Sequence, residues 1–118
     1  MAITVRWKDR ERTCIETRFD DPWTLDDFIE ARKQWHRMIK SVNYFVPIFL
    51  DMSQTFHPPK GILRHFSAIH RTPHPRQGHI LMYGVNPEYL KLRDQIIDGV
   101  VDPEKAVKFV DSAEVPVG

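Results

Sequence analysis

The stretch YFVPIFLDM, residues 44–52, decides the fold class of this chain. Apart from one proline and one aspartate it is apolar throughout, as a strand must be when both faces of its sheet are covered. Pro47 has no amide hydrogen to donate, so it fits the first residues of such a strand better than the middle. The stretch therefore predicts a parallel strand inside an α/β sheet.

The residues before this stretch predict a hairpin. Apolar and polar side chains alternate over residues 3–8 and again from Thr13 to Phe19, with a short polar connection at residues 9–12. Alternation with a period of two is typical of half-buried strands, and a short connection favours antiparallel pairing.

From Thr24 onward the apolar spacing becomes that of a helix. Thr24 and Asp27 have the spacing of a capping box, and Trp23 and Phe28 that of a hydrophobic staple, so both signals place the helix start at Thr24. In a helix with 3.6 residues per turn, the apolar residues that follow lie close to one stripe: Leu25, Phe28, Ile29, Trp35, Ile39 and Val42.

Two more units of helix and strand follow the apolar stretch. The Pro58–Pro59 pair predicts a helix start, because proline fits a first helical turn, and apolar residues then recur at helical spacing as far as Thr72. A buried-type strand covers residues 79–85, the Asn86–Pro87 pair predicts a third helix, and a last strand lies within residues 106–110.

This order of elements predicts a single α/β domain over residues 1–118. We expect one mixed sheet of four to five strands with a leading antiparallel hairpin and crossover helices, in the order ββαβαβαβ. The 42% hydrophobic content suits one globular core. A single cysteine, Cys14, the lack of an apolar run of membrane-spanning length and the lack of a secretory signal lead us to expect a cytoplasmic protein.

The element order and three segments resemble STAS domains, the sulfate transporter and anti-sigma factor antagonist family. Among its members, the chain is most similar to bacterial STAS-like proteins of unassigned function. The resemblance covers roughly residues 2–112 and is carried by residues 23–28, 46–52 and 108–112. It implies a regulatory fold in which a kinase phosphorylates a serine or threonine at the start of the second helix to control partner binding.

This chain differs from the family at two places. Pro58 and Lys60 stand where the family has the phosphorylatable hydroxyl, so the resemblance implies a module without that switch. The family's final helix has no counterpart beyond Ser112, and we therefore expect apolar surface open to a second copy or to another protein.

The middle of the chain carries no acidic residue. Between Met52 and Pro87 there is neither Asp nor Glu, whereas Lys60, Arg64, Arg71 and Arg76 are present. If the second helix begins at Pro58, Lys60 and Arg64 share one of its faces and can meet an anion or an acidic protein surface. The alternative is a solvated helix face that balances the acidic last third of the chain.

Loops in α/β sheets gather at the carboxyl ends of parallel strands, so candidate binding residues are sought there. Asp51 and His57 have the chemistry of an acid/base pair and Ser53 that of a nucleophile, but no nucleophile elbow and no phosphate-binding glycine loop accompanies them, so no catalytic residue is assigned. The alternative is that Asp51 and Asn86 only cap their own loop and helix. The candidate binding residues are Asp51, Ser53, Thr55, His57, Lys60, Arg64 and Asn86.

Five histidines between residues 57 and 79 raise the question of a metal site. Their spacing matches no metal-ligand motif, so we expect neither a metal nor a cofactor. A formal net charge of +1 and the absence of an RNA-binding aromatic motif indicate neither nucleic acid nor a membrane as a partner.

The sequence therefore favours a non-catalytic STAS-like regulatory or protein-interaction module. Its partner is expected to be another protein, with self-association into a homo-oligomer as a further option, and its binding surface to be the second helix and the loop before it. The alternative is an anion or small-ligand binding protein, or an enzyme, with a pocket at the carboxyl ends of the strands.

Overall fold

The computed structural model describes residues 2–62, 64 and 75–91, and the backbone of residues 108–110. Residues 62, 64 and 87–91 are helical in addition to the named elements. The elements are β1 (Ile3–Trp7), β2 (Ile15–Asp20), α1 (Leu25–Lys40), β3 (Val46–Gln54), β4 (Gln77–Tyr83) and β5 (Lys108–Val110).

The strands form one mixed sheet in the order β1-β2-β3-β4-β5. β1 and β2 are antiparallel, and each later strand runs parallel to its neighbour. Neighbouring parallel strands need a crossover connection, and α1 provides the one between β2 and β3. The predicted α/β class, the single mixed sheet and the leading hairpin are confirmed. Most of the second and third predicted helices lies outside the described residues.

The core lies between α1 and one face of the sheet, here called the helix face. Ile48, Leu50 and Met52 of β3 belong to this core, whereas Phe49 is buried with Cys14 and Leu81 on the opposite, far face. β3 is thus apolar on both sides, as its sequence predicts. From α1, the buried side chains are Phe28, Ala31, Trp35 and Ile39.

The start of α1 follows the local signals. Thr24 Oγ1 accepts a hydrogen bond from the Asp27 amide at 3.1 Å, and the Thr24 amide donates to Asp27 Oδ2 at 2.9 Å. The rings of Trp23 and Phe28 lie 6.1 Å apart between centroids. The predicted capping box and hydrophobic staple are both confirmed.

Several element boundaries differ from the prediction. β2 begins at Ile15, because the amide and hydroxyl of Thr13 instead bond the Asp9 carboxylate and close the hairpin connection. β3 continues to Gln54. β4 is Gln77–Tyr83, ending before Gly84, whose φ of +69° is incompatible with an extended strand.

The predicted start of the second helix at Pro58 is wrong. Gly61 has a φ of +87°, a left-handed conformation that cannot lie inside a right-handed helix, and the helical residues begin at Ile62. Lys60 therefore lies in a turn before the helix. It does not share a helix face with Arg64, contrary to the spacing argument, although both side chains are exposed.

Candidate functional site at the carboxyl ends of the strands

A hydrogen-bond network centred on the buried Thr55 closes the carboxyl end of β3. Trp23 Nε1 donates to Thr55 Oγ1 at 2.9 Å, Thr55 Oγ1 donates to Asp21 Oδ1 at 2.6 Å, and the Tyr89 hydroxyl lies 2.8 Å away. A hydroxyl has one hydrogen and two lone pairs, so the Tyr89 hydroxyl must be the donor in the last bond. The hydroxyl of Thr55 is fully bonded, and the residue is 0% exposed.

The backbone of the loop after β3 is fixed from two sides. The Phe56 amide donates to Asp21 Oδ2 at 2.7 Å. Asn86 Nδ2 donates to the Thr55 carbonyl at 2.7 Å and to the Met52 carbonyl at 3.3 Å. The helical residues begin at Pro87, as predicted. The side-chain amide of Asn86 hydrogen-bonds the backbone of the loop after β3.

Burial raises the pKa of Tyr89 to about 12. Its hydroxyl is therefore protonated at neutral pH and remains a hydrogen-bond donor. The network needs that donor, because the single hydrogen of Thr55 already goes to Asp21.

Asp51 and Ser53 lie on the far face of the sheet, away from this network. The amide and the hydroxyl of Ser53 both donate to Asp51 Oδ1, at 3.0 and 2.6 Å. Tyr83 is the register partner of Asp51 on β4, and burial together with the Asp51 carboxylate raises the pKa of Tyr83 to about 12. The hydrogen bonds that Asp51 accepts in the described part of the chain therefore come from Ser53 on the same face, not from His57.

Phe56, His57 and Lys60 of the loop are exposed, and so is Arg64 after it. Phe56 is 51% exposed, an unusual position for a large aromatic ring. Within the described residues, neither Lys60 nor Arg64 forms an ion pair. We call this exposed set the rim surface, and it consists of Phe56, His57, Lys60 and Arg64.

The seven residues predicted as a binding site therefore fall into three groups. Thr55 and Asn86 belong to the hydrogen-bond network that holds the loop. Asp51 and Ser53 bond to one another on the far face. The members left exposed are His57, Lys60 and Arg64.

The sequence prediction missed Asp21, Trp23, Tyr89 and Phe56. Asp21 and Trp23 meet Thr55 because β2 pairs with β3 and places Asp20 beside Gln54. Tyr89 follows β4, the other neighbour of β3, and local patterns contain neither pairing. Phe56 did leave a signal, because it is the only large apolar residue in the polar stretch from Ser53 to Lys60.

A separate groove of about 260 Å³ lies on the far face of the hairpin. Arg6 and Lys8 each contact the Glu16 carboxylate at 3.1 Å, and Arg18 Nε lies 3.2 Å from Asp20 Oδ1. Burial works against the ionised form of Glu16, but the bonds from Lys8 and Arg6 outweigh it and lower the pKa of this carboxyl. The groove is lined by Thr4, Arg6, Glu16, Arg18 and Asp20.

Over residues 2–62, 64 and 75–91, no three His, Cys, Asp or Glu side chains lie close enough together to hold a metal ion. His65, His70 and His74 lie outside this part of the chain. In the same part of the chain, no helix combines the length and the apolar composition needed to cross a bilayer.

Comparison with known proteins gave no match, whether against protein-family models, curated proteins or solved structures. Function is therefore inferred from the arrangement of the side chains.

Proposed function

We propose that this chain is a non-catalytic protein-interaction module of the STAS-like regulatory type, lacking the phosphorylatable hydroxyl of that family, and that it binds a partner protein through the rim surface. One observation carries the proposal. The polar groups that hold the loop bond to one another, while Phe56 beside them is 51% exposed.

A loop fixed in this way suits protein binding. The bonds from Asp21 and Asn86 hold its backbone before any partner arrives, so little conformational entropy remains to be lost on association. Aromatic side chains and arginine are also the residue types typical of interaction hot spots. The rim surface contains one of each, Phe56 and Arg64.

The buried state of Thr55 supports the absence of a phosphorylation switch. A kinase needs access to a free hydroxyl, whereas the Thr55 hydroxyl is buried and bonded to Asp21, Trp23 and Tyr89. Ser53 is exposed, but it belongs to strand β3 and its hydroxyl is bonded to Asp51. Neither residue lies at the start of the second helix.

The charge of the segment indicates the chemistry of the partner. Lys60 and Arg64 lie in a stretch from Met52 to Pro87 that contains no acidic residue. A partner that places carboxylates around an apolar side chain would complement Phe56 and these two cations. We therefore expect binding to weaken as the salt concentration rises.

The test compares two exposed phenylalanines. Phe56→Asp removes the proposed anchor, and Phe45→Asp makes the same change at a residue that is 71% exposed at the opposite end of β3. After the partner has been captured and purified, we expect Phe56→Asp to weaken its affinity about 30-fold or more, a hot-spot loss of about 2 kcal/mol. Phe45→Asp should leave the affinity within a fewfold of the original. Equal effects of the two variants would contradict the proposal.

A second candidate function is the binding of a small anion in the hairpin groove. This site differs from the pocket that the sequence predicts at the carboxyl ends of the strands. Arg6 and Arg18 each use one nitrogen in their ion pairs, and a guanidinium has five N–H donors. Their other donors are therefore left for an anion of the size that a groove of about 260 Å³ admits.

Titration with inorganic phosphate, followed through the Nε–H signal of Arg18 by NMR, tests this second candidate. We expect a saturating shift with a Kd below about 1 mM. The shift should be lost in Arg6→Gln and retained in Arg10→Gln, since Arg10 lies in the exposed hairpin connection. A linear shift that never saturates would rule the site out.

A further inference from the structure

β1 forms an edge of the sheet, and the ladder shows which of its backbone groups face outward. Among the strands that the structure describes, only β2 pairs with it. The Asp20 amide donates to the Ala2 carbonyl at 2.7 Å, and the Lys8 amide to the Cys14 carbonyl at 2.9 Å. Because bonding alternates along an antiparallel ladder, even-numbered residues of β1 bond to β2 and odd-numbered ones face away. The outward-facing residues are Ile3, Val5 and Trp7.

This edge is almost unoccupied within the described residues. Gln34 Nε2 donates to the Val5 carbonyl at 3.4 Å, a long and therefore weak bond. The other outward amides and carbonyls of β1 have no partner in the described part of the chain. An open edge of this kind is a template for another strand.

The side chains of β1 are complementary to those of β1 in a second copy. If two copies pair antiparallel about Val5, Ile3 of each lies opposite Trp7 of the other, an aromatic and β-branched pair that stabilises sheets. On the far face, Thr4 lies opposite Arg6, so no like charges meet. A shift of two residues toward the carboxyl end would place Arg6 opposite Arg6, which disfavours that register.

We propose that two copies of this chain pair through β1, antiparallel and centred on Val5, to form one continuous sheet. Such a contact is two-fold symmetric and uses the same strand of each copy. Gln34 of each copy gives up its weak bond to Val5, and backbone hydrogen bonds between the copies replace it.

The first test is Val5→Pro, measured by sedimentation equilibrium. The Val5 amide faces the open edge, so proline removes a donor that the β1–β2 ladder does not use. We expect the unaltered chain to dimerise at millimolar concentration or below, and Val5→Pro to be monomeric with an unchanged far-UV circular dichroism spectrum. A monomeric unaltered chain, or a folded Val5→Pro variant that still dimerises, would overturn the proposal.

A pair of variants at Thr4 decides the question even if Val5→Pro fails to fold. Thr4 is exposed on the far face, so its side chain can change without disturbing the core. Thr4→Lys sets a lysine opposite Arg6 of the second copy, at two symmetric places, and should weaken the dimer about fivefold or more. Thr4→Glu should tighten it by a similar factor. Equal dimer affinities for the two variants would overturn the proposal.

Discussion

Thr55→Val is expected to lower the free energy of unfolding by about 3 kcal/mol, although it changes the volume of the side chain very little. The Trp23 N–H and the Tyr89 O–H both lose their acceptor in a buried place, and each unsatisfied buried group costs about 1 to 3 kcal/mol. A small domain is stable by only about 5 to 15 kcal/mol in total, so this loss should be plain in urea unfolding.

Thr55→Ser is the matched control for this prediction. It keeps the hydroxyl and the three bonds but removes one methyl group, which should lower stability by about 1 kcal/mol. A Thr55→Val variant that unfolds within 1 kcal/mol of the unaltered chain, or a Thr55→Ser variant that is equally damaged, would show that the hydroxyl network does not hold the loop.

The second large effect is expected at Trp35. This side chain is 0% exposed, packs edge-on against Phe28 at 6.0 Å between ring centroids, and donates from Nε1 to Thr17 Oγ1 at 2.8 Å. Trp35→Ala leaves a cavity between α1 and the sheet and should lower the free energy of unfolding by about 4 kcal/mol. Thermal and urea unfolding measure this loss.

A double-mutant cycle separates the hydrogen bond of Trp35 from its packing. Trp35→Phe leaves the buried Thr17 hydroxyl unpaired, and Thr17→Val leaves the indole N–H unpaired, so each should cost about 2 kcal/mol. The double variant leaves neither group unpaired and should be less destabilised than the sum of the two. If the loss of stability in the double variant equals the sum of the two single losses, the hydrogen bond contributes nothing to the packing of α1.

The parts of the fold that the sequence predicts well depend on local signals that agree with one another. Thr24, Asp27 and the Trp23–Phe28 pair mark the start of α1 within a few residues, and the apolar stripe then continues through the same helix. The run at residues 44–52 predicts β3 because a strand covered on both faces requires continuous apolar sequence.

The errors arise where backbone conformation overrides composition. Pro58 and Pro59 are typical of a helix start, but the positive φ of Gly61 delays the helix to Ile62. The helix face predicted to be shared by Lys60 and Arg64 depends on a start at Pro58, so that prediction is wrong as well. Gly61, three residues after Pro58, is a sequence signal against a helix that starts there.

The site was predicted only in part because its chemistry depends on contacts between distant residues. Thr55 and Asn86 were correctly placed at the carboxyl ends of the strands, but their side chains bond inward to Asp21, Trp23 and the loop carbonyls. Those partners lie 31 or more residues away in sequence, so no local pattern distinguishes a ligand-binding threonine from one that fixes a loop.

Photocrosslinking from position 56 tests most directly whether the rim surface meets a partner protein. A benzophenone amino acid is introduced in place of Phe56 and, in a separate variant, in place of Phe45, which is the more exposed of the two. After irradiation in the native cells, we expect a discrete adduct with another protein from position 56, lost on Lys60→Glu with Arg64→Glu. No adduct from position 56, or one formed only from position 45, would contradict the proposed function.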